Sequence, residues 1–273
     1  MQMENKGKYR YWSFDEKKYF FSNDLEQISC TDLGKCRNDC ERWLHYKLSQ
    51  EKKGVSNSYL FMGQIFHEVI EQDMRYKVNK GVNMKLNELE PIFESCWNKG
   101  KSKVDFTRLE EGKSKLKCRN YIQIYSLKRS SFLYPINQDC IEKFFRIYVK
   151  VEGQKIGLTG KMDLLTKDMF IEDHKTASQS WTQEDANSEV QAYIYPFVGK
   201  SLGYDIKGFR FSVVTKDNVE VFPVLYDDKK AREWIMYAFQ LQRAFHDNNL
   251  LSSRSPRICG FCDWKDTCSE VKI

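Results

Sequence analysis

The sequence Gly160-Lys161-Met162-Asp163, followed by Ile171-Glu172-Asp173-His174-Lys175, decides the fold that this chain is expected to adopt. The two motifs lie in the stretches 155–166 and 169–176, which are rich in apolar and β-branched residues and therefore predict strands. The polar residues around Asp168 favour a turn between them. The sequence thus predicts a β-hairpin with one motif on each strand.

Two aspartates should face each other in this hairpin. If the turn is centred near Asp168, residues equidistant from it are paired, so Asp163 lies opposite Asp173. Alternation puts Lys175 on the same face, about 6.6 Å further along, while the ring of His174 points away and its backbone carbonyl stays available. Two close carboxylates need a cation or a raised pKa, and oxygen ligands suit Mg²⁺ or Mn²⁺. Taken alone, however, the motif fits an exposed hairpin with a solvated lysine–aspartate pair better.

An apolar stripe at helical spacing runs through residues 59–71 and predicts an amphipathic helix. His67 borders this stripe, at a position from which its ring could point into a cleft between helix and sheet. A lone histidine there is more often a satisfied boundary residue than a ligand. Glu71 could orient the imidazole from one turn further on, but a solvated helix face is the simpler interpretation of this residue.

A second helix is predicted to start at Thr182 and to run to Tyr195. Gln191 and Tyr195 are four residues apart and share one face of it, so they could present an amide and a phenol to a phosphate or to a catalytic lysine. Pro196 should kink or end the helix at the tyrosine, because proline removes a backbone hydrogen bond.

The chain contains nine cysteines, and three of them are clustered at Cys259, Cys262 and Cys268. Residues 1–10 are charged and lack an apolar core, so we expect a reducing cytoplasm, in which disulfides are rare. Three clustered thiols need a fourth ligand, for which the candidates are Cys30, Cys36 and Cys40. A compact trio with one distant cysteine favours a cubane iron–sulfur cluster over zinc. Unligated core positions fit the remaining cysteines better, namely Cys96, Cys118 and Cys140.

Composition is compatible with a nucleic-acid-binding protein without proving it. The 273 residues, 41% of them apolar, are enough for one large domain or two small ones, and no stretch is long and apolar enough to predict a membrane span. The net charge is +6. Candidate DNA-binding residues, interleaved with aromatic ones, are Lys113, Lys115, Lys117 and Arg119. Such a stripe suits single-stranded nucleic acid, although a solvated helical insertion explains it nearly as well.

In their order along the chain, these elements resemble the RecB-type branch of the PD-(D/E)XK nucleases, in particular its iron–sulfur members: the CRISPR-associated RecB-like exonucleases and the nuclease domain of AddB. That pattern combines a helical histidine, Gly-x-x-Asp, Asp or Glu-x-Lys, and Gln-x-x-x-Tyr. The matching residues are His67, Asp163, Asp173 with Lys175, and Gln191 with Tyr195. The resemblance implies that Mn²⁺ or Mg²⁺ is held by His67, Asp163, Asp173 and the carbonyl of His174.

The resemblance also implies a 4Fe-4S cluster. The family has one cluster cysteine near the N-terminus and a Cys-x2-Cys-x5-Cys motif at the C-terminus. The corresponding residues are Cys40, Cys259, Cys262 and Cys268. Cys36 stays open as an alternative to Cys40, because the spacing is one residue longer than expected.

We therefore expect an α/β fold with a restriction-endonuclease-like core, in which helices flank a mixed central sheet. Residues 1–27 would form an N-terminal extension and residues 28–273 a single nuclease domain. Within that domain, 86–131 would be a helical insertion, and 28–50 with 252–273 would form the cluster-binding region. Strands are expected at 141–151, 155–166, 169–175, 206–215 and 219–225, and a terminal helix at 228–248.

The function implied by the resemblance is that of a metal-dependent DNA exonuclease, acting on single-stranded or frayed ends in recombination, repair or CRISPR adaptation. A helicase or an integrase is a candidate partner, and no membrane partner is expected. The alternative is a DNA-end-binding or scaffold subunit of a larger recombination or spacer-acquisition complex, with an auxiliary or silent nuclease site. The intact set of Asp163, Asp173 and Lys175 argues against this alternative, because a module that only binds DNA does not need it.

Overall fold

The computed structural model describes residues 9–13, 18–22, 25–49 and 56–252, together with Cys259, Cys262 and Cys268. Most of the predicted cluster-binding region 252–273 and part of the predicted extension 1–27 lie outside the described residues. The strands are β1 (Tyr9–Ser13), β2 (Lys18–Ser22), β3 (Gln27–Ser29), β4 (Ser56–Asn57), β5 (Val104–Asp105), β6 (Ile141–Val151), β7 (Gln154–Leu165), β8 (Phe170–Thr176), β9 (Gly208–Val214) and β10 (Val219–Leu225). The five predicted strands are all present, with ends within two residues of those expected.

The described α-helices are α1 (Cys30–Asn38), α2 (Arg42–Ser49), α3 (Ser58–Lys80), α4 (Leu86–Gly100), α5 (Glu111–Lys128), α6 (Gln183–Ser188), α7 (Gln191–Ser201) and α8 (Asp228–His246). None of these helices is both long and apolar enough to cross a membrane. The chain divides into two compact units. The terminal unit takes its described residues from 1–54, 146–160 and 229–273, and the central unit from 55–145 and 161–228. The predicted domain boundaries stay a prediction.

The sheet of the central unit is mixed, as predicted. Strand β10 is antiparallel to β9, β9 is parallel to β8, and β8 is antiparallel to the second half of β7. Helix α5 covers one face, where the Tyr125 hydroxyl contacts His174. Helix α7 covers the other face, where Gly199 lies close to Ile171. Helices on both faces of a mixed sheet confirm the expected α/β class.

Helix α3 carries the predicted apolar stripe. Asn57 caps its start by accepting hydrogen bonds from two backbone N–H groups, and Gly81 ends it with a φ of 77°. The stripe packs against α4 and α5 in a core that includes Phe66, Trp97 and Tyr125. The segment 86–131 therefore contributes two helices to the core of the central unit, because α3 cannot bury its apolar face alone.

The terminal unit contains the short parallel pairing of β3 with the first half of β7, in which Ile28 lies opposite Leu158. Strands β1 and β2 form an antiparallel pair in the same unit. The amide of Gln242 on α8 donates hydrogen bonds to the carbonyls of Leu25 and Lys155, at 2.6 and 3.2 Å. This buried amide links helix α8 to the segment before β3 and to β7.

Of the two expectations for Pro196, a kink in its helix or the end of it, the second is wrong. Thr182 does cap a helix, as predicted, but that helix stops at Ser188, and a second one, α7, continues through Pro196 to Ser201. Most of α7 is buried, and Gly199 approaches Ile206 so closely that a Cβ would lie 2.7 Å from its Cγ1. This burial offsets the backbone hydrogen bond that the proline removes, a loss of about 3 kcal/mol in a helix interior.

Candidate metal and catalytic site

Asp163 and Asp173 meet at the junction of β7 and β8, as the hairpin predicted. The pairing of Leu164 with Glu172 and of Leu165 with Ile171 sets a register in which Asp163 lies opposite Asp173. Both side chains are buried, with relative exposures of 7% and 2%. Burial, followed by the charges of Asp173 and Glu142, raises the pKa of Asp163 to about 7, although His67 opposes the shift.

His174 turns its ring to the other face of β8, as expected from strand alternation. Its backbone N–H donates a 2.7 Å hydrogen bond to Oδ2 of Asp163. The imidazole is buried, and its Nδ1 lies 2.8 Å from the hydroxyl of Tyr125. Burial, together with the nearby cations of His67 and Arg129, holds the pKa of His174 well below its usual value. The ring is therefore neutral and joins β8 to α5 through Tyr125, while the backbone N–H of His174 contacts Asp163.

Lys175, Gln191 and Tyr195 are brought together as the spacing predicted. The ammonium of Lys175 lies 2.8 Å from Oδ2 of Asp173 and donates a 2.8 Å hydrogen bond to Oε1 of Gln191. The Gln191 amide donates to Oδ1 of Asp173 and to the hydroxyl of Tyr195, both at 3.2 Å. Burial lowers the pKa of Lys175, but the carboxylate of Asp173 outweighs it, so the pKa is raised overall. Lys175 is therefore an ammonium, suited to orienting groups rather than to accepting a proton.

His67 does point from α3 into the site. Its Nδ1 lies 3.4 Å from Oδ2 of Asp163 and 3.7 Å from Oε1 of Glu142. Burial disfavours its protonation, but the carboxylates of Asp163, Glu142 and Asp173 prevail and raise the pKa of His67 to about 9. Glu71 pairs instead with Arg75 at 2.8 Å, in agreement with the simpler interpretation of that residue.

Glu142 is a residue that the sequence analysis missed. It lies in β6, and the ligand atoms of His67, Glu142 and Asp163 are all within 4.8 Å of one another. Its carboxylate is also in direct contact with the ammonium of Lys161. The signal available beforehand was an acidic residue directly after the apolar Ile141, inside a stretch that predicted a strand. That signal does not say which other element the carboxylate meets.

The donor set suits a divalent cation. Oδ2 of Asp173 and Oε2 of Glu142 are buried oxygens, and each of them contacts a lysine ammonium, that of Lys175 and of Lys161 respectively. Such oxygens, together with Asp163 and the ring nitrogen of His67, match the mixed oxygen and nitrogen preference of Mn²⁺ and the oxygen preference of Mg²⁺. The residues present therefore fit a catalytic metal ion.

A cleft of about 580 Å³ opens beside the site in the central unit. Its lining includes three aromatic residues, a lysine and a glutamate: Tyr59, Tyr121, Trp181, Lys117 and Glu189. Trp181 packs on the ring of Phe211 at 5.3 Å between centroids, and the same ring lies 5.6 Å from Nζ of Lys175. One ring thus separates the wall of the cleft from the lysine of the site.

The four candidate DNA-binding residues have different surroundings. Lys115 and Arg119 each lie 2.7 Å from Glu94, and Lys113 lies 3.2 Å from Glu110. Lys117 instead lies over the rings of Tyr59 and Tyr121, at 5.6 and 5.7 Å, and lines the cleft.

The cysteine region lies in the terminal unit. Sγ of Cys40 is 3.9 Å from the carbonyl oxygen of Leu251, and the N–H of Leu251 donates to Glu41 at 3.0 Å. Cys40 therefore lies beside Leu251, which precedes the C-terminal trio in the sequence. The backbone N–H of Cys262 donates to the carbonyl of Cys259 at 3.1 Å, and Cys36 is buried with 3% exposure.

Comparison with known proteins identifies the fold family. No protein of curated function matches the chain by sequence. The solved structure of a proposed exonuclease from Eubacterium rectale aligns with a TM-score of 0.56 and 14% identity, covering 89% of this chain and 88% of that one. The crystal structure of SSO0001 aligns at a TM-score of 0.46 and 13% identity over 91% and 88% of the two chains. The family model of the PD-(D/E)XK nuclease superfamily matches residues 35–269. The chain therefore belongs to the PD-(D/E)XK nuclease superfamily.

Proposed function

We propose that this protein is a metal-dependent deoxyribonuclease that removes nucleotides from single-stranded or frayed DNA ends. The observation that carries the proposal is the group of His67, Glu142 and Asp163, whose ligand atoms lie within 4.8 Å of one another. Asp173 lies opposite Asp163 in the sheet and pairs with the Lys175 ammonium. Uncompensated buried carboxylates are costly unless they bind a cation. Such a donor set can hold a metal ion of the kind that activates water for phosphodiester hydrolysis.

A divalent ion held by His67, Asp163, Asp173 and the carbonyl of His174 would supply activated water and neutralise charge on the phosphoryl group. The protein's own groups would do the rest. The Lys175 ammonium, fixed by Asp173 and Gln191, is placed to orient the attacking water or to stabilise the phosphoryl oxygens. Tyr195 holds the Gln191 amide through the 3.2 Å hydrogen bond. The His174 N–H keeps Asp163 in position.

The cleft supports a single-stranded substrate. Trp181 and the 47% exposed Tyr59 offer ring faces, and Lys117 offers a cation. Proteins bind single strands by stacking bases on aromatic rings while cations contact the phosphates. Because Phe211 connects Trp181 to Lys175, a nucleotide stacked in the cleft would lie next to the scissile phosphate.

We further propose that Cys40, Cys259, Cys262 and Cys268 hold a 4Fe-4S cluster. Support comes from the three-residue spacing of Cys259 and Cys262 and from the position of Cys40 beside Leu251. Cys36 is less suitable than Cys40, because it is almost completely buried. Anaerobically purified protein should be brown and should contain iron and sulfide, whereas a colourless protein with stoichiometric zinc would contradict this assignment.

The function is tested with end-labelled single-stranded and duplex DNA in Mg²⁺, in Mn²⁺ and after chelation. We expect release of short products from single-stranded ends that depends on the metal and is lost in Lys175→Ala. The matched control is Asp168→Asn, which changes an exposed carboxylate of the same hairpin that pairs with Arg210. If the wild type binds DNA ends but cleaves none of these substrates with either metal, the deoxyribonuclease assignment is wrong.

A further inference from the structure

The ammonium of Lys161 lies next to the proposed metal site, at a position that a metal ion could also occupy. Its ammonium is in direct contact with the carboxylate of Glu142, whose side chain is 8% exposed. The Lys161 side chain itself is 54% exposed, so only its charged end reaches into the site. Glu142 belongs to the group that it forms with His67 and Asp163, and Lys161 borders that group through its contact with Glu142.

The backbone of Glu142 is in an unusual conformation. Its φ is 51°, in the left-handed region that residues other than glycine rarely adopt. Such conformations persist where surrounding contacts hold them, and they are concentrated at functional sites. Here the conformation accompanies a carboxylate that lies 3.7 Å from the His67 ring through one oxygen and contacts Lys161 through the other. Glu142 is thus shared between the metal site and the lysine.

Asp163 has a carboxylate neighbour on each of two elements. Asp173 lies opposite it on β8, and a carboxylate oxygen of Glu142 on β6 lies within 4.8 Å of one of its own. Each of these two carboxylates has its own lysine: Lys175 contacts Asp173, and Lys161 contacts Glu142. When His67 is neutral, as a metal ligand must be, three carboxylates face two ammonium groups, so one divalent ion makes the cluster slightly positive. A second divalent ion would leave a large uncompensated positive charge unless one lysine moved away.

We propose that the Lys161 ammonium fills a second cation position at Glu142, so that the site holds one divalent ion rather than two. This inference rests on the proposed nuclease function. In two-metal nucleases, paired ions about 4 Å apart stabilise the attacking and the leaving oxygens. Here the lysine supplies the second positive charge. Because most of its side chain is exposed, the ammonium can shift from Glu142 to a phosphate oxygen of a bound substrate.

The test counts bound Mn²⁺ by titration calorimetry and examines the bound ions by electron paramagnetic resonance, neither of which depends on cleavage. The wild type should bind one ion with the spectrum of an isolated Mn²⁺. Lys161→Ala should bind a second ion at least about tenfold more tightly than the wild type does, a difference of about 1.4 kcal/mol. The pair of ions should give a spin-coupled spectrum. Removing the carboxylate as well, in Lys161→Ala with Glu142→Gln, should restore one ion.

The matched control is Lys101→Ala, because Lys101 is also a partly exposed lysine of the central unit in an ion pair, with Glu111 at 3.1 Å. This variant should keep one ion. Two tightly bound ions in the wild type, or a single ion in a folded Lys161→Ala protein, would overturn the inference while leaving the nuclease assignment intact. A wild type that binds no Mn²⁺ would overturn the proposed function and this inference together.

Discussion

Glu172 and Asp173 are consecutive acidic residues of β8, and both are buried, but they face opposite sides of the sheet. Glu172 lies 2.7 Å from Arg129 and 2.9 Å from Arg210, and it also accepts a hydrogen bond from Ser212. Asp173 contacts one lysine and one amide, and it lies in a cluster with further carboxylates.

The difference shows that a buried carboxylate can either be fully paired with cations or lie in a group of like charges. Two guanidinium groups compensate the charge of Glu172, so this residue joins β8 to β9 and to the end of α5. Around Asp163, three carboxylates face the ammonium groups of Lys175 and Lys161, and this excess of negative charge raises the pKa of His67 to about 9. Neutralising Asp173 on one face and Glu172 on the other tests this distinction directly.

The largest effect is expected for Asp173→Asn. Loss of the charge of this proposed metal ligand should lower kcat by about 10²- to 10³-fold or more, as removal of one electrostatic stabiliser of a transition state does. The free energy of unfolding should change by less than about 1 kcal/mol. The lost ion pair with Lys175 is offset because Asp173 no longer repels the Asp163 carboxylate, and Lys175 keeps its hydrogen bond to Gln191. Metal-dependent cleavage and urea denaturation measure the two quantities. Full activity of the variant would show that Asp173 has no role in catalysis.

The opposite result is expected for Glu172→Gln. Two partly buried guanidinium groups would lose their counter-charge, so the free energy of unfolding should fall by about 3 to 5 kcal/mol. The variant protein that is still folded should cleave DNA at close to the wild-type rate. Asp168→Asn removes an exposed partner of the same Arg210 and should cost much less. Equal free energies of unfolding for the Glu172 variant and the wild type would contradict a structural role for Glu172.

A smaller effect is expected for Trp181→Ala, which changes the cleft and not the carboxylate cluster. Loss of one stacking ring should weaken binding of single-stranded DNA by about 1 to 3 kcal/mol. KM should therefore rise while kcat stays nearly constant. Phe132→Ala provides the control, because Phe132 is 70% exposed and is not part of the cleft lining. An unchanged KM would exclude stacking on Trp181.

The smallest effects distinguish Lys117 from Lys115. Lys117→Ala should reduce the salt dependence of DNA affinity by a slope of about one, as expected for the loss of one phosphate contact. Lys115→Ala should leave that slope unchanged, because Lys115 is paired with Glu94 on α4. Fluorescence anisotropy at several salt concentrations measures both. If the two variants showed equal slopes, the ion pairs of α4 would not decide which lysines bind DNA.

Local patterns predicted much of the site because its parts follow strand and helix periodicity. The turn near Asp168 defined which aspartates are paired, and the four-residue spacing placed Gln191 and Tyr195 on one helix face. Glu142 could not be predicted in the same way. Its role depends on β6 bringing it next to His67 of α3, and sequence separation carries no information on that distance.

The sequence by itself determined the hairpin, its register and the residue types of the cluster, because alternation and helical periodicity act over a few neighbouring residues. Only the tertiary structure decided which charges remain uncompensated. It assigned Arg129 and Arg210 to Glu172, Glu94 to Lys115, and Lys161 to Glu142. It also kept α7 helical through Pro196. The physical reason is that ion pairing and burial depend on distances between elements that are far apart in the chain.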